Sequence, residues 1–196
     1  KLMRNWWFKL SARLRKRTRF FEDVYIKNPN NIRLGESSKI LRGAALIATQ
    51  GTIAIGNRVH VNRLVSINAE KQGAEVILED GVEINDGSLL LARGRILLRR
   101  NAILGPGVKL ISYQHTFADP TRAIKEQPCV NADIEIGEGS WIGANAVVMA
   151  GVRVGRGAVI GAGAIVNCDI PDLAVAVGCP ARVIKLRTGA PDEASE

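Results

Sequence analysis

Aromatic residues make up only 5% of this 196-residue chain, and histidine occurs twice, at His60 and His115. So little aromatic volume excludes a broad core of stacked rings and suits a narrow interior filled by Ile, Val and Ala. Two histidines far apart, with no His-rich spacing, are too few for a three-histidine zinc centre. Cys129, Cys168 and Cys179 are odd in number and form no CxxC pair, which argues against a disulfide framework or zinc site and for the cytosol. No metal is expected. Long apolar runs are also missing: nothing approaches the roughly 18 residues of a membrane span, and no uninterrupted apolar segment marks a signal peptide. The first residue is Lys1 rather than methionine, as expected of a natural chain that begins further upstream. With 46% hydrophobic residues, the chain can nevertheless bury one sizeable core.

Charge is concentrated at one end. Residues 1–20 carry eight Lys or Arg and no acid, which equals the net charge of +8; the other 176 residues balance. Leu2, Met3, Trp6, Trp7, Leu10 and Leu14 recur at helical spacing among basic residues, as in a basic amphipathic helix. Such a helix can cover the open end of a solenoid or make a subunit contact. It can equally lie in an anionic membrane interface, tryptophan at the headgroup boundary and cations toward phosphate. Both readings stay open. A basic run alone is poor evidence for reading nucleic acid, and no nucleic-acid partner is expected.

The organising stretch is Ile136 to Ile170, where an aliphatic residue returns every sixth position beside glycine or another small residue. That period fits neither a helix nor simple strand alternation. Six residues make one short strand and one turn, and three such units close one coil of a parallel β-helix. Upstream the rule gives Leu34, Ile40, Leu46; Ile55, Val61, Ile67; Leu78, Ile84, Leu90; and Leu98, Leu104, Leu110. Within triplets the step is always six, whereas between triplets it is 9, 11, 8, 26 and 6, so every insertion leaves at one corner. The expected organisation is therefore a basic approach over 1–33, an all-β prism over 34–171 with a loop at 111–135, a terminal segment over 172–187, and a disordered polar tail over 188–196.

The long loop is where chemistry is expected. Ser112-Tyr-Gln-His115-Thr-Phe-Ala-Asp119-Pro120 puts an imidazole near a carboxylate outside the packed wall. Imidazole is the usual side-chain base near neutral pH. His60 lies beside Val61 inside a coil and reads as a wall residue.

The repeats, His115-Thr-Phe-Ala-Asp119-Pro120, Trp141-Ile-Gly-Ala-Asn145 and Gly178-Cys-Pro-Ala-Arg-Val-Ile-Lys185 together resemble the left-handed β-helix, hexapeptide-repeat acyltransferases. The likeness is closest to the galactoside and maltose O-acetyltransferases and to O-acetyltransferases of bacterial surface polysaccharides. It is good from Leu78 to Leu186 and does not reach the basic N-terminus. The resemblance implies a homotrimer with acetyl-coenzyme A in the groove between adjacent prisms. It also implies that His115 removes a proton from an acceptor hydroxyl, which attacks the thioester directly. Trp141, Ala144 and Ala162 would line the coenzyme groove, while Asn85 and Asp119 would contact the acceptor. A serine often follows Trp-Ile-Gly in the family; here Ala144 stands there, so an oxyanion donor would be a backbone N–H.

Other departures matter. The family's acidic acceptor-binding position corresponds to Arg93, which points toward an anionic or larger glycan. A basic residue expected after the last hexad is replaced by Cys168, so coenzyme phosphates would rest on Arg182 and Lys185, with Arg187 nearby. Cys168 and Cys179 read as packing residues. The expected activity is O-acetyl transfer to a sugar or bacterial surface glycan, in the cytoplasm or peripherally at the inner membrane face through residues 1–20. The alternatives are N-acetylation of a nucleotide-linked amino sugar, or a non-catalytic scaffold. The zinc-dependent γ-type carbonic anhydrases share the fold but need three histidines.

Overall fold

A computed structural model describes residues 17–188. The chain winds through seven coils over three faces, with parallel strands stacked on each face; the last coil meets the third face through a single bridge rather than a strand. One coil shows the rule. Trp141–Ile142 lies on the first face, Val147–Val148 on the second and Arg153–Val154 on the third, before Val159–Ile160 returns to the first. Trp141 then pairs in register with Val159, and Val147 with Ile165.

Every one of the eighteen aliphatic positions predicted from the period is buried. A second inward set was not anticipated. The residue two places before each aliphatic also points inward; it is Ile or Val at positions such as Ile53, Val76 and Ile96, and alanine at others, as with Ala102, Ala146, Ala158 and Ala164. Strand alternation demands this, because residues i and i−2 share a face. Where that position is polar, its hydroxyl is satisfied by a corner carbonyl. Ser38, Ser88 and Ser140 donate to the carbonyls of Gly56, Gly105 and Gly137 at 2.9, 3.0 and 2.6 Å.

The prism extends further at both ends than the period implied. Arg19–Phe20, Tyr25–Lys27 and Ile32–Leu34 already form a full first coil, in parallel with Lys39–Ile40, Ala45–Ala48 and Thr52–Ile55. Phe20 takes the inward place of an aliphatic residue, so the sequence rule passed over it. Residues 1–16, which hold most of the expected amphipathic helix, lie outside the described residues; Arg19 and Phe20 at its end are strand, not helix. Past Val166, Ile170 bridges to Val154 on the third face, and Ala174–Val177 continues the first face. Arg182–Leu186 then turns back antiparallel against Ala174–Val177. The expected tail from residue 189 onward also lies outside the described residues. Among the described residues, no helix is long and apolar enough to cross a membrane.

The insertions do leave at one corner, between the second and third faces. The longest runs from Lys109–Ile111 on the second face to Ile134–Ile136 on the third.

Candidate active site

The long insert begins as a short antiparallel hairpin, with Tyr113–His115 pairing Cys129–Asn131 and His115 directly opposite Cys129. Its root is fixed by Ser112, whose buried Oγ accepts from the backbone N–H of Arg93 and of Gly94, both at 3.0 Å. Its tip is tied around Gln127, only 6% exposed, whose amide donates to the carbonyls of Asp119 and Arg122 at 2.9 and 3.1 Å. The backbone and hydroxyl of Thr116 both donate to the Pro128 carbonyl at 2.9 Å. An imidazole on such a loop is therefore held by a strand pair on one side and a cross-linked turn on the other.

His115 is exposed, and its immediate neighbour is sulfur. Cys129 Sγ lies 3.4 Å from Nδ1 and 3.6 Å from Nε2. Arg93 Nη1 donates to the same sulfur at 3.4 Å. Arg93 is itself fixed by its Nε donating to Glu70 Oε2 at 2.9 Å, with the guanidinium 4.1 Å from the Tyr113 ring centroid. The Glu70 hydrogen bond keeps the Arg93 guanidinium firmly charged, above its ordinary value, against partial burial. This position therefore does not argue for an anionic acceptor: the positive charge is committed to Glu70 within the protomer.

Asp119 does not orient the imidazole. Its carboxylate accepts from the hydroxyl and backbone N–H of Thr121 at 2.7 and 2.9 Å, and these bonds hold it below the usual carboxylate range. Asn85 stands at the corner between the first and second faces. Its amide nitrogen donates to the Leu104 carbonyl at 2.9 Å and its amide oxygen accepts from Asn62 at 2.8 Å, so it links three successive coils along that edge.

Ala144 and Ala162 stack at this same corner two coils further on, where the Gly163 N–H donates to the Ala144 carbonyl at 2.8 Å. Trp141 opens the corner from the first face, 52% exposed, in one outward row with Ile103 and Val159. That row runs on through Val175 to Lys185. Arg182 sits at the start of the terminal strand, bonded to the Ala181 carbonyl. Arg187 is anchored elsewhere, Nη1 donating to the Gly157 carbonyl at 2.7 Å. His60 lies in a row between Lys39 and Glu83, at the other end of the first face. The structure thus gathers two clusters. His115, Cys129, Arg93 and Glu70 stand at one edge of the second face; Asn85, Trp141, Ala144 and Ala162 stand at the other.

Sequence reasoning missed Cys129, Glu70, Tyr113 and Gln127. The signal available was local: Tyr113-Gln-His115 and Cys129-Val-Asn131 are short segments of strand-like composition, and Pro128 precedes the second. Among the described residues, no group of three or more His, Cys, Asp or Glu could hold a metal ion.

A parallel prism with a single-corner insert defines the class, a hexapeptide-repeat β-solenoid. Residues 133–168 match the bacterial transferase hexapeptide family over six repeats, so the chain carries the repeat unit of those transferases. It is 31% identical over 156 residues to a probable acetyltransferase of Mycobacterium tuberculosis. That alignment takes in 72% of this chain and 52% of the relative, so the chain spans about half of the mycobacterial protein's length. It is 25% identical over 154 residues to WbbJ of Escherichia coli, provisionally assigned to O-acetyl transfer in lipopolysaccharide biosynthesis, covering 75% of this chain and 78% of WbbJ. Among solved structures it is similar to a variant of AntD, an N-acyltransferase from Bacillus cereus in complex with dTDP-4-amino-4,6-dideoxyglucose and coenzyme A. The TM-score is 0.61 at 19% identity, over 88% of this chain and 81% of AntD, which shows a shared fold.

Proposed function

We propose that this chain is an acyl-coenzyme A-dependent O-acetyltransferase acting on a hydroxyl of a sugar or bacterial surface glycan, with His115 as the general base. The observation that carries the reading is the exposed imidazole on a braced hairpin, outside the packed wall. The likeness to WbbJ over most of its length supports a hydroxyl acceptor. In the transfer, a ring nitrogen of His115 takes the hydroxyl proton as the oxygen attacks the acetyl carbonyl. The carbon–sulfur bond of the donor then breaks, the leaving sulfur takes the proton back from the His115 imidazolium, and coenzyme A leaves as the thiol. Proton removal of this kind contributes about 10² to 10⁴ in rate.

Two clusters on opposite edges of one face act together if different protomers supply them. A left-handed prism assembled as a homotrimer meets that need, placing one protomer's His115 beside the Trp141, Ala144 and Ala162 corner of its neighbour. Exposed apolar residues support such a contact: Phe117 is 77% exposed and Val130 47%. Small residues at 144 and 162 let pantetheine approach the backbone closely, and Arg182 and Lys185 would receive the coenzyme phosphates. Residues 1–20 would hold the trimer peripherally at the inner face of an anionic membrane, near a lipid-linked glycan.

The test is His115→Ala assayed with acetyl-coenzyme A and two acceptor sets, glycans and nucleotide-linked amino sugars. Turnover on glycans should fall about 10² to 10⁴ while coenzyme A affinity holds. His60→Ala should be close to neutral. Near wild-type turnover in the His115 variant would end the mechanism, and wild-type activity confined to amino sugars would replace the hydroxyl acceptor with an amine.

A further inference from the structure

The sulfur opposite His115 lies between two hydrogen-bonding groups rather than in an apolar pocket. Arg93 Nη1 and His115 Nδ1 each lie 3.4 Å from Cys129 Sγ, from different directions along the chain. A residue placed for packing alone would have carbon neighbours on those sides.

We propose that Cys129 is a positioning residue for His115, and that Glu70, Arg93 and Tyr113 exist in this corner to hold the sulfur in place. The proposal rests on the reading of His115 as the base and adds how that base is oriented. A guanidinium has donors and no acceptor, so its bond to Sγ uses the sulfur as acceptor. A thiol sulfur has two lone pairs, so one that accepts from Arg93 keeps a second with which to accept the imidazole N–H. The ring nitrogen carrying hydrogen is then turned toward Cys129, and the other nitrogen keeps a free lone pair for the acceptor hydroxyl.

The two ring nitrogens lie within 0.2 Å of the same distance from Sγ, at 3.4 and 3.6 Å. Neither N–H therefore points straight at the sulfur, and turning the ring to complete one bond directs the opposite nitrogen away from Sγ. Productive alignment can tighten in this way when substrate binds.

The support behind the sulfur is stiffer than the contact itself. Arg93 is held at its backbone by Ser112 Oγ at 3.0 Å, at Nε by Glu70, and over its face by Tyr113. The Arg93 and Glu70 side chains are only 25% and 28% exposed, so solvent competes weakly for this pair. Glu70 is in turn fixed by Asn68, whose amide donates to Oε1 at 3.2 Å. Ser112, Glu70, Tyr113 and, through Glu70, Asn68 thus hold the one guanidinium that bonds the thiol, from three successive coils.

The experiment uses the full chain with ¹⁵N-labelled histidine, in wild type, Cys129→Ala and Cys129→Ser. Two histidines give two sets of ring signals, and His60 serves as the internal control. In Cys129→Ala, the ring nitrogens of His115 should move toward the values of two interconverting tautomers while those of His60 stay fixed. Serine, which also accepts, should preserve the wild-type pattern. Kinetically, with acetyl-coenzyme A and a glycan acceptor, Cys129→Ala should lower kcat roughly ten-fold and change the KM for acetyl-coenzyme A by less than about two-fold. Cys129→Ser should recover most of the loss. Unchanged His115 ring signals in Cys129→Ala overturn the proposal, as does an equal kinetic loss in the alanine and serine variants. His115→Ala separates the two levels: full activity there removes the base itself, while the NMR comparison still decides whether Cys129 orients the ring.

Discussion

Two glycines at the corner between the first and second faces separate space from backbone conformation, and both border the proposed coenzyme groove. A Cβ built on Gly143 would meet the Ala162 nitrogen and the Ile160 carbonyl oxygen at 2.6 Å, and the Gly161 carbonyl carbon at 2.8 Å. All three are backbone atoms of the next coil, so no side chain can yield. Restoring ordinary contact near 3.4 Å requires the coils to part by about 0.8 Å. The Gly143 N–H bond to the Ile160 carbonyl, now 2.8 Å, would then stretch beyond useful length. Overpacking and one lost ladder bond together cost about 3 kcal/mol.

Gly163, in the next coil, is the opposite case. Its φ is +70°, and nothing lies within 4 Å of its built Cβ. Alanine there meets open space but a left-handed backbone, which costs about 1 kcal/mol once the stiffer unfolded chain is included. For a domain of this length, thermal melts followed by far-ultraviolet circular dichroism should fall by about 6–12 °C for Gly143→Ala and about 2–4 °C for Gly163→Ala. Gly143→Ala should also raise the KM for acetyl-coenzyme A, because the displaced atoms are those of Ala162. If Gly163→Ala costs as much as Gly143→Ala, the approach of successive coils is not what requires glycine at 143.

Neutralising Arg182 and Lys185 together should raise the KM for acetyl-coenzyme A well above that for acetyl-pantetheine, which lacks the nucleotide phosphates. Equal loss with both donors would assign these residues to folding or acceptor binding. Removing residues 1–20 should leave activity on small acceptors while abolishing salt-sensitive sedimentation with anionic vesicles, since each Lys or Arg near such a surface contributes about 1 kcal/mol. Because Arg19 and Phe20 are strand residues of the first coil, the same experiment repeated with residues 1–16 removed should retain more thermal stability than the longer deletion. A full-length protein that ignores anionic vesicles, with truncation that breaks the assembly, would make this segment a structural cap.

The interior was legible because its rule is one-dimensional. Ile136, Ile142 and Val148 each occupy equivalent places in a coil, so a fixed step finds them without knowledge of distant contacts. Phe20 obeys the geometry but not the residue type, and the first coil was lost with it. The corner at which insertions leave was legible from step lengths alone. The site was legible only as far as His115, a distinctive residue in a long insert. Cys129 is 14 residues away in sequence and meets His115 through antiparallel pairing, while Glu70 reaches Arg93 from the preceding coil. Neither contact leaves a period in the sequence. Arg93 itself was noticed, but its charge read as available because its partner could not be seen.

The restriction of insertions to one corner also bears on how such a molecule can change. The edge carrying Asn85, Ala144 and Ala162 is tied from coil to coil by an unbroken ladder, so a length change there would shift every pairing beyond it. At the opposite edge the hairpin returns the chain to the third face in register, with Ile96 beside Ile134 and Leu98 beside Ile136. On the proposed reading, donor handling belongs to the rigid edge and acceptor choice to the replaceable one. Exchanging residues 112–132 between relatives is then a modular operation: a new acceptor could be acquired in a single recombination event without rebuilding the coenzyme groove.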